Sequence, residues 1–323
     1  MNIGIMGVGG IAECMGTTLR GMPTATSYAV ASRSLEKAEK FAAEYGFFQA
    51  YGSYEELVKD PEVELIYIAT PHSHHFEHAK LCIEHNKPVL CEKAFMANAK
   101  QAKEIVALAK EKNVFLAEAI WTRYMPSRKM IDDIITSGNI GEITALSANL
   151  GYDIDEVPRL TDSALAGGAL LDVGIYPLTF ASMVLGDDIV NINSNCTKTD
   201  SGVDEQNSIT LEYPGKVLAH LHSSMLSATE QYGIIYGTKG YIIAKNINNV
   251  DIIEVYSPER QLQETLHAPE QISGYEYEVE ASIKAISQGK IECEEAPLSQ
   301  SIHMMEIMDS IRASWGIVYP FEK

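Results

Sequence analysis

The chain has 323 residues, 46% hydrophobic and 21% charged, which is long for one core and comfortable for two soluble domains. Its formal charge of −19 makes a surface that repels nucleic acid and anionic lipid, so neither is expected as a partner. The start, Met-Asn-Ile-Gly-Ile-Met-Gly, has no basic n-region, and no run of ~18 apolar residues occurs, so neither a signal peptide nor a membrane-spanning helix is expected.

Residues 1–120 alternate short apolar runs with amphipathic stretches. Ile3–Met6, Ser27–Ser32, Leu65–Thr70, Val89–Cys91 and Val114–Ala117 read as buried strands. Ile11–Arg20, Leu35–Tyr45, Tyr54–Lys59, Phe76–Asn86 and Asn98–Lys112 read as helices between them, with Asp60-Pro61 and Lys87-Pro88 as stops. That alternation predicts a parallel sheet with helical crossovers. Residues 121–323 have a different rhythm. Helices are predicted at about 126–137 and 178–185, and strands at 143–152, 189–197, 206–213, 217–223, 232–236, 241–245 and 250–256. Gly-Thr-Lys-Gly (237–240) and Asn248-Asn249 read as hairpin turns, and 276–288 and 299–315 as closing helices. The expected fold is α/β: a Rossmann parallel sheet in 1–120, then an α+β domain with a large, mostly antiparallel sheet in 121–323.

Five cysteines (Cys14, Cys82, Cys91, Cys196, Cys293) are odd in number and lack metal-ligand spacing, which suits reduced thiols in a cytoplasmic protein. Gly7-Val8-Gly9-Gly10-Ile11-Ala12 fits G-x-G-x-x-A and sits between the first strand and the first helix. Gly7 permits the tight turn, and Gly9 lets a pyrophosphate approach N–H groups at the helix start. Ala12 allows close helix–strand packing. An NAD site usually ends its second strand in an acid that holds the ribose 2′-hydroxyl. Here the strand ends Ser32-Arg33-Ser34, with Lys37 one turn on, so a 2′-phosphate is expected and NADP is favoured over NAD.

Thr70-Pro71-His72-Ser73-His74-His75, with His78 nearby, invites a zinc reading. No cysteine or carboxylate set stands at ligand spacing, so no metal is expected. Thr70, His72 and His75 are instead expected to line a cofactor trough, with His74 in solvent. Glu92-Lys93 ends another buried strand, which aims Lys93 into the cleft at the sheet's C-terminal edge.

The Gly7–Ala12 turn, Thr70-Pro71-x-x-x-His75, Glu92-Lys93 and Gly167-Gly168-Ala-Leu-Leu-Asp172-x-Gly174-x-Tyr176 together resemble the glucose–fructose oxidoreductase/inositol dehydrogenase (Gfo/Idh/MocA) family along essentially the whole chain. Glu118-Ala-Ile-Trp121-Thr-Arg123-Tyr124-Met-Pro126 is similar to its dimeric dihydrodiol dehydrogenase and D-xylose dehydrogenase branch. The resemblance implies NADP, catalysis by Lys93 and Tyr176, and Asp172 nearby. It implies further that Trp121 walls the substrate pocket and that Arg123 and Glu92 lie near the cofactor. Ala94 stands where the family usually has proline, often cis, and Tyr176 where many members have histidine.

Oxidising a secondary alcohol requires removing its O–H proton as hydride leaves carbon. A tyrosine with a pKa near ~10 is a poor base at neutral pH, and lowering it by roughly 3 units takes about 4 kcal/mol. An ammonium at ~4 Å in an effective dielectric of ~20 supplies about that much. Lys93 is thus expected to tune Tyr176, with Asp172 orienting Lys93 or the substrate hydroxyl. The sequence points to an NADP-dependent oxidoreductase for a sugar, polyol or vicinal diol, working as a homodimer formed through its C-terminal sheet. The alternatives are a non-catalytic NAD(P)-sensing protein of the same fold and NAD-retaining glycoside hydrolysis. Both Lys93 and Tyr176 being present, with no basic or helix-turn-helix segment, speaks against the first, and Arg33 against the second.

Overall fold

The computed structural model describes residues 1–322. Two compact units emerge: 1–124 with 271–305, and 125–270 with 306–323. The break therefore falls four residues later than the sequence suggested, and the segment 271–305 belongs with the first unit rather than the second. Its contacts explain why: Leu116 donates its N–H to the Ile291 carbonyl at 3.0 Å, and the Thr18 and Ser273 hydroxyls lie 2.7 Å apart.

The first unit holds strands β1 (Asn2–Met6), β2 (Thr26–Ala31), β3 (Gln49–Tyr51), β4 (Leu65–Ile68), β5 (Val89–Glu92) and β6 (Leu116–Ala119). Helices α1 (Gly10–Gly21), α2 (Leu35–Tyr45), α3 (Tyr54–Lys59), α4 (His72–Glu84) and α5 (Ala99–Lys112) connect them. All pairings are parallel in the order β3-β2-β1-β4-β5-β6, the doubly wound arrangement of a Rossmann sheet. Local chemistry sets the helix ends. Ser34, Ser53 and Asn98 accept N–H bonds as N-caps, and Gly46 and Asn113 close α2 and α5 in left-handed conformations. Helix α3 stops at Lys59, ahead of Asp60-Pro61.

The second unit contains α6 (Pro126–Thr136), β7 (Ile143–Gly151), the short α7 (Pro158–Thr161), a π-helical segment at Leu170–Gly174 and α8 (Ile175–Leu185). Strands β8 (Asn191–Lys198), β9 (Asp204–Tyr213), β10 (Val217–Ser224), β11 (Gly233–Gly237), β12 (Gly240–Lys245), β13 (Ile252–Tyr256) and β14 (Leu262–His267) follow. Helix α9 (Glu276–Ser287) lies in the first unit, and α10 (Leu298–Ser314) runs through the boundary at 305/306. The eight strands order β14-β13-β12-β11-β7-β10-β9-β8, antiparallel except where β10 lies parallel to β7.

One face of this sheet is buried, with Leu146, Ala148, Leu150, Leu221 and Ile235 under α8 and the π segment. The other face is half open. It presents Ile234, Ile243 and a row of Tyr236, Tyr241 and Tyr256, in which Tyr241 stacks on Tyr256 at 4.9 Å. The helical stretch Ser163–Leu185 is long and apolar enough by composition to cross a membrane. With 83% of its apolar window buried inside the protein, it is a core element.

Candidate functional site

The glycine turn stands as its spacing requires. Gly7 has φ +106°, and a Cβ there would meet the Ala69 carbonyl oxygen at 2.8 Å, so only glycine fits. Gly9 and Gly10 are exposed, with nothing within 4 Å of an added Cβ, where α1 begins. Ala12 is fully buried beneath. Free N–H groups of Gly10 and Ile11 at a helix start, with open space beyond them and Val8 alongside, form a cradle that fits a pyrophosphate.

At the end of β2, Ser32 is buried, and its hydroxyl accepts the Ser34 N–H at 3.3 Å. Arg33 and Lys37 are exposed, and burial, with a smaller push from the Arg33 charge, lowers the pKa of both His74 and His78. Both histidines lie on α4. That helix begins at His72, earlier than its apolar pattern suggests, because Pro71 supplies an extended entry. Its histidines pair off. His78 Nδ1 lies 2.9 Å from the Thr70 hydroxyl, and its ring stacks with His74, so His74 is half-buried rather than solvated. His72 and His75 meet edge to face at 5.6 Å. Among the described residues no group of three or more histidine, cysteine or carboxylate side chains could hold a metal ion.

Three expected cofactor contacts are hydrogen-bonded within the protein. His75 is fully buried, with Nε2 2.7 Å from the Thr70 carbonyl and Nδ1 3.0 Å from that of Ala94. Burial lowers its pKa to about 4, so it is a neutral strut between β4 and the turn after Lys93 rather than a lining of the trough. Glu92 is buried and accepts from the Tyr67 hydroxyl. Arg123 is buried too, donating to Gln300 at 2.9 Å. Thr70 and Lys93, by contrast, keep part of their surface exposed. The peptide bond between Lys93 and Ala94 is cis.

The same unit buries the carboxyls of Glu92, Glu118, Glu276 and Glu278. Glu118 is pushed up by burial, which outweighs the Ser301 hydroxyl and Arg123. Glu278 is fully buried, neither of its oxygens has a hydrogen-bond partner, and burial followed by the charges of Glu92 and Glu118 drives its pKa well above the ordinary range. Burial therefore favours its neutral, protonated form. No sequence signal marked it, since it reads as one more acid on an acidic helix. Trp121 lies flat on Tyr275, with ring centroids 4.1 Å apart and planes 9° apart, which fixes the indole.

In the second unit, Asp172 sits inside the π-helical segment and accepts from Arg159 at 2.9 Å, an ion pair that sequence reading did not foresee. Arg159 is half exposed while the Asp172 carboxylate is 8% exposed. Tyr176 follows at the start of α8, with 7% of its surface open. A Cβ on Gly167 would strike the Leu160 carbonyl oxygen at 2.4 Å, so the chain must be bare where it enters this run.

A doubly wound sheet with a phosphate cradle on its first turn, joined to a mixed eight-stranded sheet, defines an NAD(P)-dependent oxidoreductase. Residues 1–119 match the oxidoreductase family with an NAD-binding Rossmann fold, and residues 129–243 match the GFO/IDH/MocA C-terminal domain. The chain belongs to the Gfo/Idh/MocA family. It is 35% identical to trans-1,2-dihydrobenzene-1,2-diol dehydrogenase of Mus musculus, over 99% of this chain and 98% of the relative. The Homo sapiens enzyme of the same name is 34% identical over the same shares. Among solved structures, a 3-ketoreductase from Actinomadura kijaniata in complex with NADP and TDP-benzene superposes with a TM-score of 0.88 at 22% identity, covering 97% of each chain. Levoglucosan dehydrogenase in complex with NADH and L-sorbose gives 0.87 at 19%, covering 98% of this chain and 96% of the other. At those identities the likeness is one of fold.

The neutral Glu278 has a stability consequence. An acid held protonated in the folded state but ionised when unfolded makes folding less favourable as pH rises above the ordinary glutamate range, because the unfolded state then binds fewer protons. Glu278→Gln is expected to raise Tm by several degrees at pH 8 and to leave it near the parent value at pH 4. Calorimetry at the two pH values measures this, and an equal shift at both would mean that ionisation is not the cause.

Proposed function

We propose that the protein is an NADP-dependent dehydrogenase or reductase for a secondary alcohol of a sugar, polyol or vicinal diol, with Lys93, Tyr176 and Asp172 as its catalytic residues. The observation that carries this reading is the match over nearly the whole chain to dihydrodiol dehydrogenases, with Lys93 at the same sheet edge as the glycine cradle. NADP when bound supplies the hydride acceptor, or the donor in the reverse direction. Val8, Gly9, Gly10 and Ile11 hold its pyrophosphate, while Ser32, Arg33 and Lys37 read the adenosine 2′-phosphate. Thr70 and His72 line the groove beyond. Tyr176 accepts the alcohol proton and the Lys93 ammonium stabilises the phenolate. Asp172, paired with Arg159, orients the substrate hydroxyl, and Trp121, braced by Tyr275, forms an apolar wall for it. The setting is cytoplasmic. Screening pentoses, hexoses, inositols and trans-dihydrodiols with NADP, by absorbance of the reduced cofactor, identifies the substrate.

Absence of an acid at the end of β2 favours the phosphorylated cofactor. Arg33→Ala is expected to weaken NADP about tenfold or more and NAD little, the size of one charge-assisted contact. Equal weakening of both in binding titrations would mean that Arg33 does not read the 2′-phosphate.

The half-open sheet face, with Leu218 38% and Tyr236 37% exposed among Ile234, Ile243 and Tyr241, supports a homodimer formed through this sheet. Sedimentation is expected to give twice the chain mass, and Tyr236→Glu to halve it. A monomer at all concentrations overturns the assembly.

For the chemical step, Tyr176→Phe is expected to lower kcat by ~10²–10⁴-fold, the usual contribution of a general acid–base group, with NADP affinity kept. Lys93→Met should act similarly, and the double variant should be little worse than either, as for groups that work as a unit. The alkaline-rising pH profile for oxidation belongs to the coupled pair. An active Tyr176→Phe enzyme with an unchanged profile would hand the proton to Lys93.

A further inference from the structure

The helical run that carries Asp172 and Tyr176 begins abnormally. Leu170–Gly174 is π-helical, a form less favourable than α and common where function holds it in place. Something must fix its start, because an N-terminus leaves N–H groups without helical partners. Asp204, at the first position of β9, supplies the fix from outside the helix. Its carboxylate is buried, and Oδ2 accepts the Leu170 N–H at 2.8 Å. The same oxygen accepts from Asn207 Nδ2 at 2.9 Å. Asn207 in turn accepts from the Ser223 hydroxyl of β10 at 2.9 Å, and that hydroxyl lies 2.9 Å from where a Cβ on Gly174 would stand. At the other end of the contact, Gly168 has φ +119°, and a Cβ there would meet Asp204 Oδ1 at 2.5 Å. The second glycine of the Gly167-Gly168 pair is thus bare because a carboxylate occupies its side-chain space. Asp204, Asn207 and Ser223 form one buried polar chain that touches the run before and after Asp172.

We propose that Asp204 is a positioning residue for the chemistry assigned to Tyr176, its carboxylate pinning the start of the run so that Asp172 and Tyr176 are presented in register. The inference rests on the reading that Tyr176 handles the proton. Asp204 touches no reacting atom. It acts through the Leu170 amide, where displacement of about 1 Å can cost ~10²-fold in rate. Both bonds go to a single oxygen, Oδ2, so an asparagine amide oxygen can stand in for it, whereas alanine cannot.

The test measures kcat, KM and NADP affinity for Asp204→Ala, Asp204→Asn, Asn207→Ala and Tyr176→Phe, with trans-1,2-dihydrobenzene-1,2-diol as the alcohol and kcat expressed per NADP-binding site, so that unfolded material does not count. Expected are a fall in kcat of tenfold or more for Asp204→Ala with NADP affinity within twofold of the parent, and recovery to within threefold in Asp204→Asn. Should Asp204→Ala not fold, Asn207→Ala decides: a severalfold lower kcat at unchanged NADP affinity supports the role, and a parental kcat overturns it. Parental kcat in a folded Asp204→Ala beside an inactive Tyr176→Phe sinks the positioning role alone. A fully active Tyr176→Phe sinks the reading of Tyr176 itself.

Discussion

The end of a parallel strand and the start of the helix that follows it are fixed within a few residues of each other, and the chemistry of the first unit grows from that constraint. Every β-to-helix connection emerges on one edge of the sheet, so the glycine cradle, Ser32-Arg33, Thr70 and Lys93 are brought to that edge by topology alone. The same constraint forces what lies behind it to be dry. Tyr67, Glu92, His75 and Glu118 sit on or next to the strands that end at the edge, and their burial leaves them neutral, hydrogen-bonded or raised in pKa. Exposed cations in front and desolvated acids and an imidazole behind set Lys93 at the boundary between the two.

The second unit places its residues by a different route. There a helical run is laid across the buried face of a sheet, and two strands reach up to it with Asp204, Asn207 and Ser223. The C-terminal residues join in. Arg312 packs 4.3 Å over the Tyr319 ring and pairs with Asp309 and Glu322, while the Tyr319 hydroxyl donates to the Gly167 carbonyl at 3.0 Å. The glycine pair is therefore gripped from three sides, by Leu160, Asp204 and Tyr319, which is why side chains are absent where the chain enters the run.

Most of the architecture was legible because buried strands and amphipathic helices carry their periods openly: Leu35–Tyr45 and Tyr54–Lys59 match residue for residue. The two missed strands, Gln49–Tyr51 and Leu262–His267, are sheet edges. With no neighbour on one side and little burial, they show no alternation to read. The parallel pairing of β10 with β7 was also hidden, since it joins strands far apart in sequence. For the site, the glycine turn and the ends of β2, β4 and β5 were readable because backbone demands dictate residue type there. What the sequence could not tell was which way a polar side chain turns. His75, Glu92 and Arg123 look like site residues on a strand end or loop, and the fold gives each a hydrogen bond within the protein, with His75 fully enclosed. Arg159, Asp204 and Glu278 look like ordinary charges in an acidic chain, and only the fold shows that the first pairs with Asp172 and the other two are buried.

The return of residues 271–305 to the first unit has a bearing on how the chain is made. During synthesis the six strands of the Rossmann sheet are complete once Ala119 has emerged, but the ring that covers Trp121 and the carbonyl that pairs with Leu116 arrive more than a hundred residues later. Until then the first unit is unfinished. Long-range closure of this kind slows folding and leaves apolar surface exposed to neighbours. Each unit thus waits on a late segment of the chain, 271–305 for the first and the residues from 306 onward for the second.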